Sequence, residues 1–578
     1  MKIARKLSEN KWFIILIFAA VGSVLGWIGY YKMYHDDGWT VFDVTYVVLR
    51  LFLINVNEYG VPIPWELEAG RFILPVVSSY AVVLIVLKLF GEKIKYMKIR
   101  GWRNHIVICG LGDKGYLLAR DLNKKNKVVV IEKDPNNVKT DLCSEEGITV
   151  IHGDATQKLI LQRANVIRAK YLFAVTGSDV TNTEIALTQA KMVKSSKRVS
   201  KTSCFVHIKN KKFCDLLGTS RKRVMKAGIS TVRYFNIYEY SARRIFDRYP
   251  MIDREPKEVE DPVHIVIFGF DSLGESLLTQ ALKIGHFTDG KTLRISIVDD
   301  NLKEKEAIFF DRYPEVKNID NISLDFWDIH IDESGFFRTG SIKHIMVPGP
   351  DAVYLSFEDD MRNVAAALHL NNRGYLRDIP VIINVISKYR VASKFKKGMS
   401  EQSGDGIFHV FKTIKSVCNG RTIIDGEMDM IAKLIHNSYL KERKREGSFD
   451  PDKPSHRIWS RLPEVFKDAN RQQADHIDVK LRFIGCHRRK GIDAHALKKF
   501  TTMEVERLSK MEHLRWNAEK FINGWVLGND TENLESPYLV SWDELSEEIR
   551  EYDREAVRNL PRILGSGGIG IYRDKDRI

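Results

Sequence analysis

The sequence has few cysteines, and no two of them have the spacing of a known disulfide or metal-binding motif. Six cysteines are scattered through 578 residues, with no C-x-x-C pair and no zinc-ligand spacing. This excludes a disulfide scaffold and favours reduced thiols in a cytosolic environment. No metal site is predicted. The six are Cys109, Cys143, Cys204, Cys214, Cys418 and Cys486.

The sequence also lacks common signatures of catalysis. It contains no H-E-x-x-H zinc motif and no G-x-S-x-G nucleophile turn. Glu512 and His513 stand side by side, but no nucleophile accompanies them. We therefore predict that the protein is not an enzyme.

Basic residues outnumber acidic ones, 90 to 75, which gives a formal net charge of +15. Such a balance suits nucleic acid or anionic lipid. The basic runs at 124–127, 197–201 and 441–446 lack interleaved aromatic residues, so nucleic acid is not an expected partner. A good part of the excess instead flanks apolar segments.

Two apolar runs near the N-terminus, 12–31 and 72–90, predict membrane spans. Twenty helical residues cover about 30 Å, the thickness of the hydrocarbon layer. A cleaved signal peptide is the alternative, but the second run argues against it. Lysine and arginine precede the first span and follow the second, which predicts cytoplasmic N- and C-termini at the inner (plasma) membrane.

A third, shorter apolar stretch lies between the spans, within 43–60. Its apolar part, 45–56, is too short to cross a bilayer as a helix. It fits a re-entrant pore helix or an interfacial helix, and the sequence does not choose between them. The candidate pore-lining residues are Asn55, Asn57, Glu58 and Tyr59.

After the spans, a buried strand pattern at 104–109 leads into a G-x-G-x-x-G turn and then a helical pattern. In that context the glycines permit a tight turn and close approach to a pyrophosphate at a helix N-terminus. An acid about 20 residues on suits ribose hydroxyls. The predicted nucleotide-binding residues are Gly110, Gly112, Asp113, Gly115, Glu132, Asp154 and Thr176.

A second copy of this unit begins at 263, where 263–274 matches 104–115. The middle glycine of the turn is replaced by Asp271, whose carboxylate would repel a phosphate. An acid still follows the next strand, at Asp299. We therefore expect a second Rossmann unit with weakened or absent dinucleotide binding.

Tandem Rossmann units on a short membrane domain resemble the RCK (TrkA N-terminal-like) gating modules of potassium channels and transporters. The resemblance rests on Gly110, Gly112, Gly115, Glu132 and Asp154. It implies a cytoplasmic ring that gates a homotetrameric pore by ligand-driven movement. The filter departs from the T-V-G-Y-G pattern of potassium channels, because residues 55–60 read N-V-N-E-Y-G.

The C-terminal region, roughly 425–578, contains E-H-x-R-W, then G-W, then P-x-L-V-x-W-x-E-L and Y-D-R. This series resembles the RyR repeat first known from ryanodine receptors, which implies a nucleotide as ligand. Tryptophan and arginine together can stack a base and pair a phosphate, although tryptophans at helical spacing also suit a core. The candidate ligand residues are Asn470, Arg471, Asp475, Glu512, His513, Arg515, Trp516, Trp525 and Trp542.

The predicted fold is multidomain, with a two-helix transmembrane pore-like domain, two α/β Rossmann domains and a mainly α C-terminal domain. The predicted boundaries are 1–100 for the transmembrane domain, 101–260 and 261–400 for the Rossmann domains, 401–424 for a linker and 425–578 for the RyR-like domain.

Three functions fit this organisation. The first is a ligand-gated ion channel whose regulatory ligand is NAD(H) or an adenine nucleotide; a cyclic nucleotide ligand would suggest a membrane effector in antiviral defence. The second is a non-conducting, membrane-anchored nucleotide sensor, favoured by the missing filter motif. The third, an NAD-dependent oxidoreductase, is disfavoured because the second unit copies the first and supplies no substrate domain.

Overall fold

The structure, a computed structural model, describes residues 11–53, 62–195, 202–210, 231–251, 262–329, 341–347, 349–386 and 406–574. The chain forms two compact units, Met1–Trp102 and Arg103–Ile578. The candidate pore residues Asn55, Asn57, Glu58 and Tyr59 lie outside the described residues.

Within its described residues, the smaller unit contains three α-helices, α1 (Lys11–Tyr34), α2 (Val41–Leu51) and α3 (Trp65–Arg100). In the part of the chain that the structure describes, two helical stretches are long and apolar enough to cross a membrane, Phe13–Asp37 and Trp65–Val86. The predicted runs 12–31 and 72–90 fall on α1 and α3. Helix α3 begins seven residues before its predicted run because charged residues in its first turns mask the helix from a hydropathy reading.

Helices α1 and α3 pack closely through glycine. A Cβ added to Gly29 would lie 2.5 Å from the Leu67 amide nitrogen, and one added to Gly70 would lie 3.0 Å from the Gly26 Cα. Small residues let the backbones of membrane helices approach each other. The spacing of Gly22, Gly26 and Gly29 could have signalled this contact, but hydropathy alone does not reveal it.

Helix α2 is the short helix expected between the spans. A capping box between Thr40 and Asp43 fixes its start. One face, with Val44, Val48 and Leu51, is buried. The re-entrant and interfacial alternatives both require a helix of this length.

The larger unit begins with a six-stranded parallel sheet whose order is β3-β2-β1-β4-β5-β6. This is the doubly wound order of a Rossmann fold. The strands are β1 (Ile106–Cys109), β2 (Val128–Glu132), β3 (Thr149–His152), β4 (Tyr171–Ala174), β5 (Ser203–His207) and β6 (Thr231–Phe235). The helices are α4 (Asp113–Asn123), α5 (Lys139–Glu145), α6 (Lys158–Arg163), α7 (Asp179–Ser195) and α8 (Ile237–Arg248).

A second six-stranded sheet repeats this topology, in the order β9-β8-β7-β10-β11-β12. Its strands are β7 (Val263–Phe268), β8 (Leu293–Asp299), β9 (Ile322–Asp328), β10 (Ala352–Leu355), β11 (Ile379–Val385) and β12 (Gly406–Lys412). Its helices are α9 (Ser272–Ile284), α10 (Leu302–Arg312), α11 (Ser341–Met346) and α12 (Asp360–Asn372). The two Rossmann units predicted from the repeated turn are therefore confirmed.

Strand β12 lies in the segment predicted to be a linker, 401–424. It pairs in parallel with β11 along its whole length, and a short helix, α13 (Thr413–Val417), follows it. The linker assignment is thus wrong for this stretch, because the glycine-rich, polar residues before it read as a loop and hid the edge strand behind them.

The C-terminal region is mainly helical, as predicted, with a small antiparallel pair, β13 (Cys486–Lys490) and β16 (Ile569–Arg573). Two-residue strands β14 (Val526–Leu527) and β15 (Glu535–Ser536) also pair. The helices are α14 (Met430–Arg445), α15 (Glu464–Phe483), α16 (Thr502–Ile522), α17 (Glu547–Arg558) and α18 (Leu560–Ser566). Leu508 and Met511 of α16 join the apolar core of the Rossmann units.

Candidate nucleotide-binding site

The first glycine-rich turn joins β1 to α4. Gly110 adopts a left-handed backbone with φ of 101°. A Cβ on Gly115 would lie 1.9 Å from the Gly110 carbonyl oxygen, so helix and turn touch. At Gly112 nothing lies within 4 Å of a Cβ position. The turn is therefore tightly packed where Gly110 and Gly115 meet, and it has free space beside Gly112.

Acidic and polar side chains surround this turn at the carboxyl edge of the sheet. Glu132, the last residue of β2, accepts a 2.7 Å hydrogen bond from the Leu111 amide. Asp113 pairs with Lys139 at 2.7 Å. Thr176 follows β4 and lies 3.1 Å from a Cβ position on Gly110. The structure thus brings five of the predicted residues to one turn and places Glu132 beside it.

Asp154 lies just past the end of β3, farther along the same edge. It pairs with Lys133 at 2.9 Å and accepts hydrogen bonds from the amide and hydroxyl of Thr156. The hydrogen bond from Lys133, with those from Thr156, lowers the pKa of Asp154 to about 2. The carboxylate is therefore ionised at neutral pH.

This geometry fits a pyrophosphate. The outer face of the turn is open where a side chain would stand, and the turn begins a helix whose N-terminal amides favour an anion. A carboxylate at the end of β2 is the group that holds ribose hydroxyls in Rossmann folds. Gly110, Gly112 and Gly115 would admit the phosphates, and Glu132 would hold a ribose.

The second turn differs at the corresponding positions. Gly269 and Gly274 repeat the close contact, with a Cβ on Gly274 falling 2.0 Å from the Gly269 carbonyl oxygen. Lys305 of α10, however, pairs with both Asp271, at 3.3 Å, and Asp299. Its ammonium group therefore bridges the turn and the end of β8.

A cavity of about 290 Å³ adjoins the second turn and is lined by both Rossmann units. Asp179 and Lys209 come from the carboxyl edge of the first sheet, and Asp271 and Lys305 from the second unit. The two units therefore face each other across a polar space at the edge of the first sheet.

The C-terminal candidates fall into separate groups. Glu512 and Arg515 are buried on α16, where Glu512 pairs with Lys480 and with Arg515 at 3.0 Å. Arg515 also pairs with Glu519 at 2.8 Å. Burial opposes ionisation, yet the charges of Arg515 and Lys480 lower the pKa of Glu512 to about 2. These charges satisfy one another inside the domain.

On α15, Arg471 and Asp475 are also engaged with protein partners. Arg471 pairs with Asp429 at 2.9 Å. Asp475 accepts two hydrogen bonds from the buried Arg243 guanidinium of α8, at 2.6 and 3.0 Å. Asn470 is bonded to the Phe466 carbonyl oxygen at 2.6 Å. Arg471 and Asp475 therefore hold elements together, and their role toward a ligand stays a prediction.

The remaining candidates form an aromatic cluster. His513 stacks on Trp516 with centroids 6.0 Å apart and meets Trp542 edge-on at 5.9 Å. Lys520 lies 4.4 Å from the Trp525 ring centroid and 5.3 Å from that of Trp516. Trp542 also donates a 3.2 Å hydrogen bond to Glu506.

Two residues that form central ion pairs in the structure were not predicted from the sequence. Lys305 and Arg243 carry no motif, and only the fold brings them to their partners. Residues 285–292 match G-x-x-x-x-G-K-T, but they follow α9 and precede β8. This reverses the strand-to-helix order of a phosphate-binding P-loop, so the match does not make a nucleotide site.

The fold defines a class: proteins with two Rossmann units in tandem, each with a glycine-rich turn after its first strand. Comparison with known proteins makes this more specific. Residues 106–221 are a TrkA-N domain, and residues 492–573 are a RyR domain. Both domains predicted from sequence motifs are confirmed.

Several curated proteins resemble this chain in part. An uncharacterised protein of Methanothermus fervidus is 43% identical over 98 residues, 17% of this chain and 15% of that protein. Potassium channel protein 1 of Methanocaldococcus jannaschii is 34% identical over 171 residues, 27% of this chain and 51% of that protein. A TrkA homologue of the Trk potassium uptake system from Archaeoglobus fulgidus is 34% identical over 110 residues, 19% of this chain and 23% of that protein. The chain spans about half or less of the length of these relatives.

Among solved structures, GsuK bound to ADP is 16% identical, with 73% of this chain and 99% of that chain covered and a TM-score of 0.34. The GsuK channel bound to NAD is 14% identical, with 88% and 91% covered and a TM-score of 0.34.

Proposed function

We propose that the protein is a ligand-gated, ion-channel-like membrane protein whose first Rossmann unit binds NAD(H) or an adenine nucleotide. One contrast carries the proposal. The first turn is open at Gly112 and flanked by Glu132, whereas at the second turn Lys305 is paired with the carboxylates of Asp271 and Asp299. The first turn is therefore the regulatory nucleotide site of this proposal.

The relatives support the channel part of this proposal. A potassium channel and Trk potassium uptake proteins are among the curated relatives of this chain, and two N-terminal stretches are apolar and long enough to span a bilayer. Potassium or another cation is the ion that the relatives suggest. No step of this function needs an enzymatic activity.

The proposal also covers the oligomeric state, the membrane location and the biological role of the protein. A homotetramer would supply a pore from α1, α2 and α3 of four chains. The positive charge flanking the apolar runs favours a plasma-membrane protein with both termini in the cytoplasm. A cyclic nucleotide as the ligand would favour a membrane effector in antiviral defence.

The nucleotide site is tested by a thermal-shift screen of the detergent-purified protein against NAD, NADH, ATP, ADP and cyclic dinucleotides. Gly112→Asp puts a carboxylate on the open face of the turn and should abolish the shift, whereas Gly112→Ala adds only a methyl group there. A shift unchanged by Gly112→Asp would refute the site. A shift lost only in Trp516→Ala would place the receptor in the RyR domain.

A non-conducting nucleotide sensor is the second candidate. The N-V-N-E-Y-G stretch at 55–60 favours it, because its residues do not supply the filter motif of a potassium channel. Ion flux through liposomes containing the protein separates the two candidates. Flux that responds to the nucleotide supports the channel, and flux that stays flat with a nucleotide known to bind supports the sensor. Nucleotide-dependent hydride turnover would instead indicate the oxidoreductase.

A further inference from the structure

A second cavity, of about 300 Å³, lies on the C-terminal domain, away from both glycine-rich turns. Its walls come from the end of α8, the start of α14, the end of α15, strand β13 and the start of β16. None of the residues predicted from the sequence to bind a ligand lines this cavity. Its size is at the lower limit of small-molecule pockets.

The cavity is strongly basic. Strand β13 reads C-H-R-R-K and contributes Arg488, Arg489 and Lys490, and α15 contributes Arg482. Two carboxylates line the same space, Asp247 and Asp478. The permanent charges of the lining residues therefore sum to about +2, which favours an anionic occupant.

The two carboxylates share a single guanidinium. Arg488 donates two hydrogen bonds of 2.6 Å to Asp478 and one of 3.0 Å to Asp247. Arg489 pairs with Asp493 and lies 4.1 Å from the ring centroid of Tyr572. Lys490 is exposed and, within the described part of the chain, has no carboxylate partner. The acids of the cavity thus leave Lys490 available to an incoming anion.

One side of the cavity is apolar. Met430 and Ile569 line it together with the buried Cys486. A cavity of this size exceeds the volume of a single phosphate group, so there is room for an uncharged part of a ligand against these residues. Planar guanidinium groups match phosphate oxygens in pairs, and a lysine adds a compact positive charge.

We propose that this cavity binds a phosphate-bearing small molecule no larger than a mononucleotide. The phosphates lie against the Arg488–Lys490 stretch of β13, and the remainder of the ligand contacts Met430 and Ile569. The site is separate from the Gly110–Gly115 turn and from the cluster of His513 and Trp516, and it does not depend on nucleotide binding by the first Rossmann unit.

The position of Arg488 connects this site to the Rossmann units. Its partner Asp247 belongs to α8, which follows β6 of the first sheet and precedes β7 of the second. An anion that binds beside Arg488 competes with Asp247 for the same guanidinium. Ligand binding therefore changes a contact between the C-terminal domain and the helix that joins the two sheets.

The test uses the full chain in detergent, in a Gly112→Asp background that removes the first candidate site. Binding of ADP and of tripolyphosphate is measured by isothermal titration calorimetry. We expect both probes to bind and Lys490→Glu to weaken them by about tenfold, which is typical for losing a hydrogen bond to a charged group. Lys498→Glu, at another exposed lysine of the same domain, should leave their affinity unchanged.

Absence of binding in the Gly112→Asp background would overturn the proposal, as would equal affinity in the Lys490→Glu protein. Binding of short-chain phosphatidic acid without binding of ADP or tripolyphosphate would assign the cavity to a lipid headgroup and overturn it too. Arg488→Gln provides a second variant, with circular dichroism as a check of folding. It should weaken both probes while the helical signal is retained.

Discussion

At the scale of single residues, the contact between Gly115 and Gly110 leaves no space for a side chain. A Cβ at 115 would lie 1.9 Å from a backbone oxygen, whereas one at 112 would meet open space. We expect Gly115→Ala to lower stability by about 1–3 kcal/mol, because helix and turn must separate. Gly112→Ala is the matched control and should change stability little. Melting temperatures of the two variants in detergent check this, and equal values would contradict it.

Glu512 contributes stability that depends on pH. Its pKa is lowered from its usual value near 4.5 to about 2, so the stabilisation is complete above pH 4.5 and is lost as the pH falls toward 2. We expect Glu512→Gln to cost about 3–5 kcal/mol at neutral pH, because Lys480 and Arg515 lose a buried partner. Melting temperature as a function of pH is the measurement.

The exposed Glu548 supplies the control for this prediction, as Glu548→Gln removes an acid from the surface of the same domain. Its melting temperature should follow that of the unmodified protein between pH 4.5 and 2. A Glu512→Gln protein as pH-sensitive in this window as the parent would contradict the assignment.

Residues with a motif were predictable, and residues placed by the fold were not. Gly110, Glu132 and Asp154 follow from strand, turn and spacing, since the carboxyl ends of parallel strands meet at one edge. Lys305 lies in the first turn of α10, and nothing in the neighbouring sequence distinguishes it from any other surface lysine. Its role depends on α10 packing beside the second turn, which only the folded chain supplies.

At the scale of elements, the close contact of α1 and α3 depends on glycine at 29. A side chain there would meet the backbone of Leu67 at 2.5 Å. We expect Gly29→Leu to separate the two helices and to lower the melting temperature of the protein in detergent. Val24→Leu, on the exposed side of α1, is the control and should have no such effect. Unaltered stability of Gly29→Leu would show that the helices do not pack through this face.

The sequence predicted the central strands of each sheet well, but it did not predict the edge strand β12. The strands around each glycine turn are short, fully buried apolar runs, which is typical of a parallel sheet covered on both faces. Strand β12 is an edge strand with polar residues around it, so its apolar signal is weak. Pairing with β11 stabilises it, and that long-range contact is not visible in a local pattern.

At the scale of the whole molecule, buried charges join the C-terminal domain to both Rossmann units. Arg243 of α8 pairs with Asp475 and Asp429, and Lys283 of α9 lies 3.3 Å from Asp468. The C-terminal domain is therefore part of one framework with the two Rossmann units.

A double-mutant cycle measures the coupling across this interface. Arg243→Leu and Asp475→Leu should each destabilise the protein by about 3 kcal/mol, since each leaves a buried charge without its partner. The double variant should lose less than the sum, by about 1 kcal/mol or more. Thermal unfolding of the four proteins gives the value. Strict additivity would show that the pair does not hold the domains together.

Lys305 of α10, which lies beside the second turn, affects how many ligands each chain is expected to bind. Because Lys305 is attached to the same chain as its two carboxylates, its effective concentration at that turn is on the order of millimolar or higher. The ribose hydroxyl of a soluble ligand therefore competes poorly with this lysine for the two carboxylates. On the proposed function, each chain would bind one nucleotide at its first turn, and an assembly of such chains would bind as many nucleotides as it has subunits.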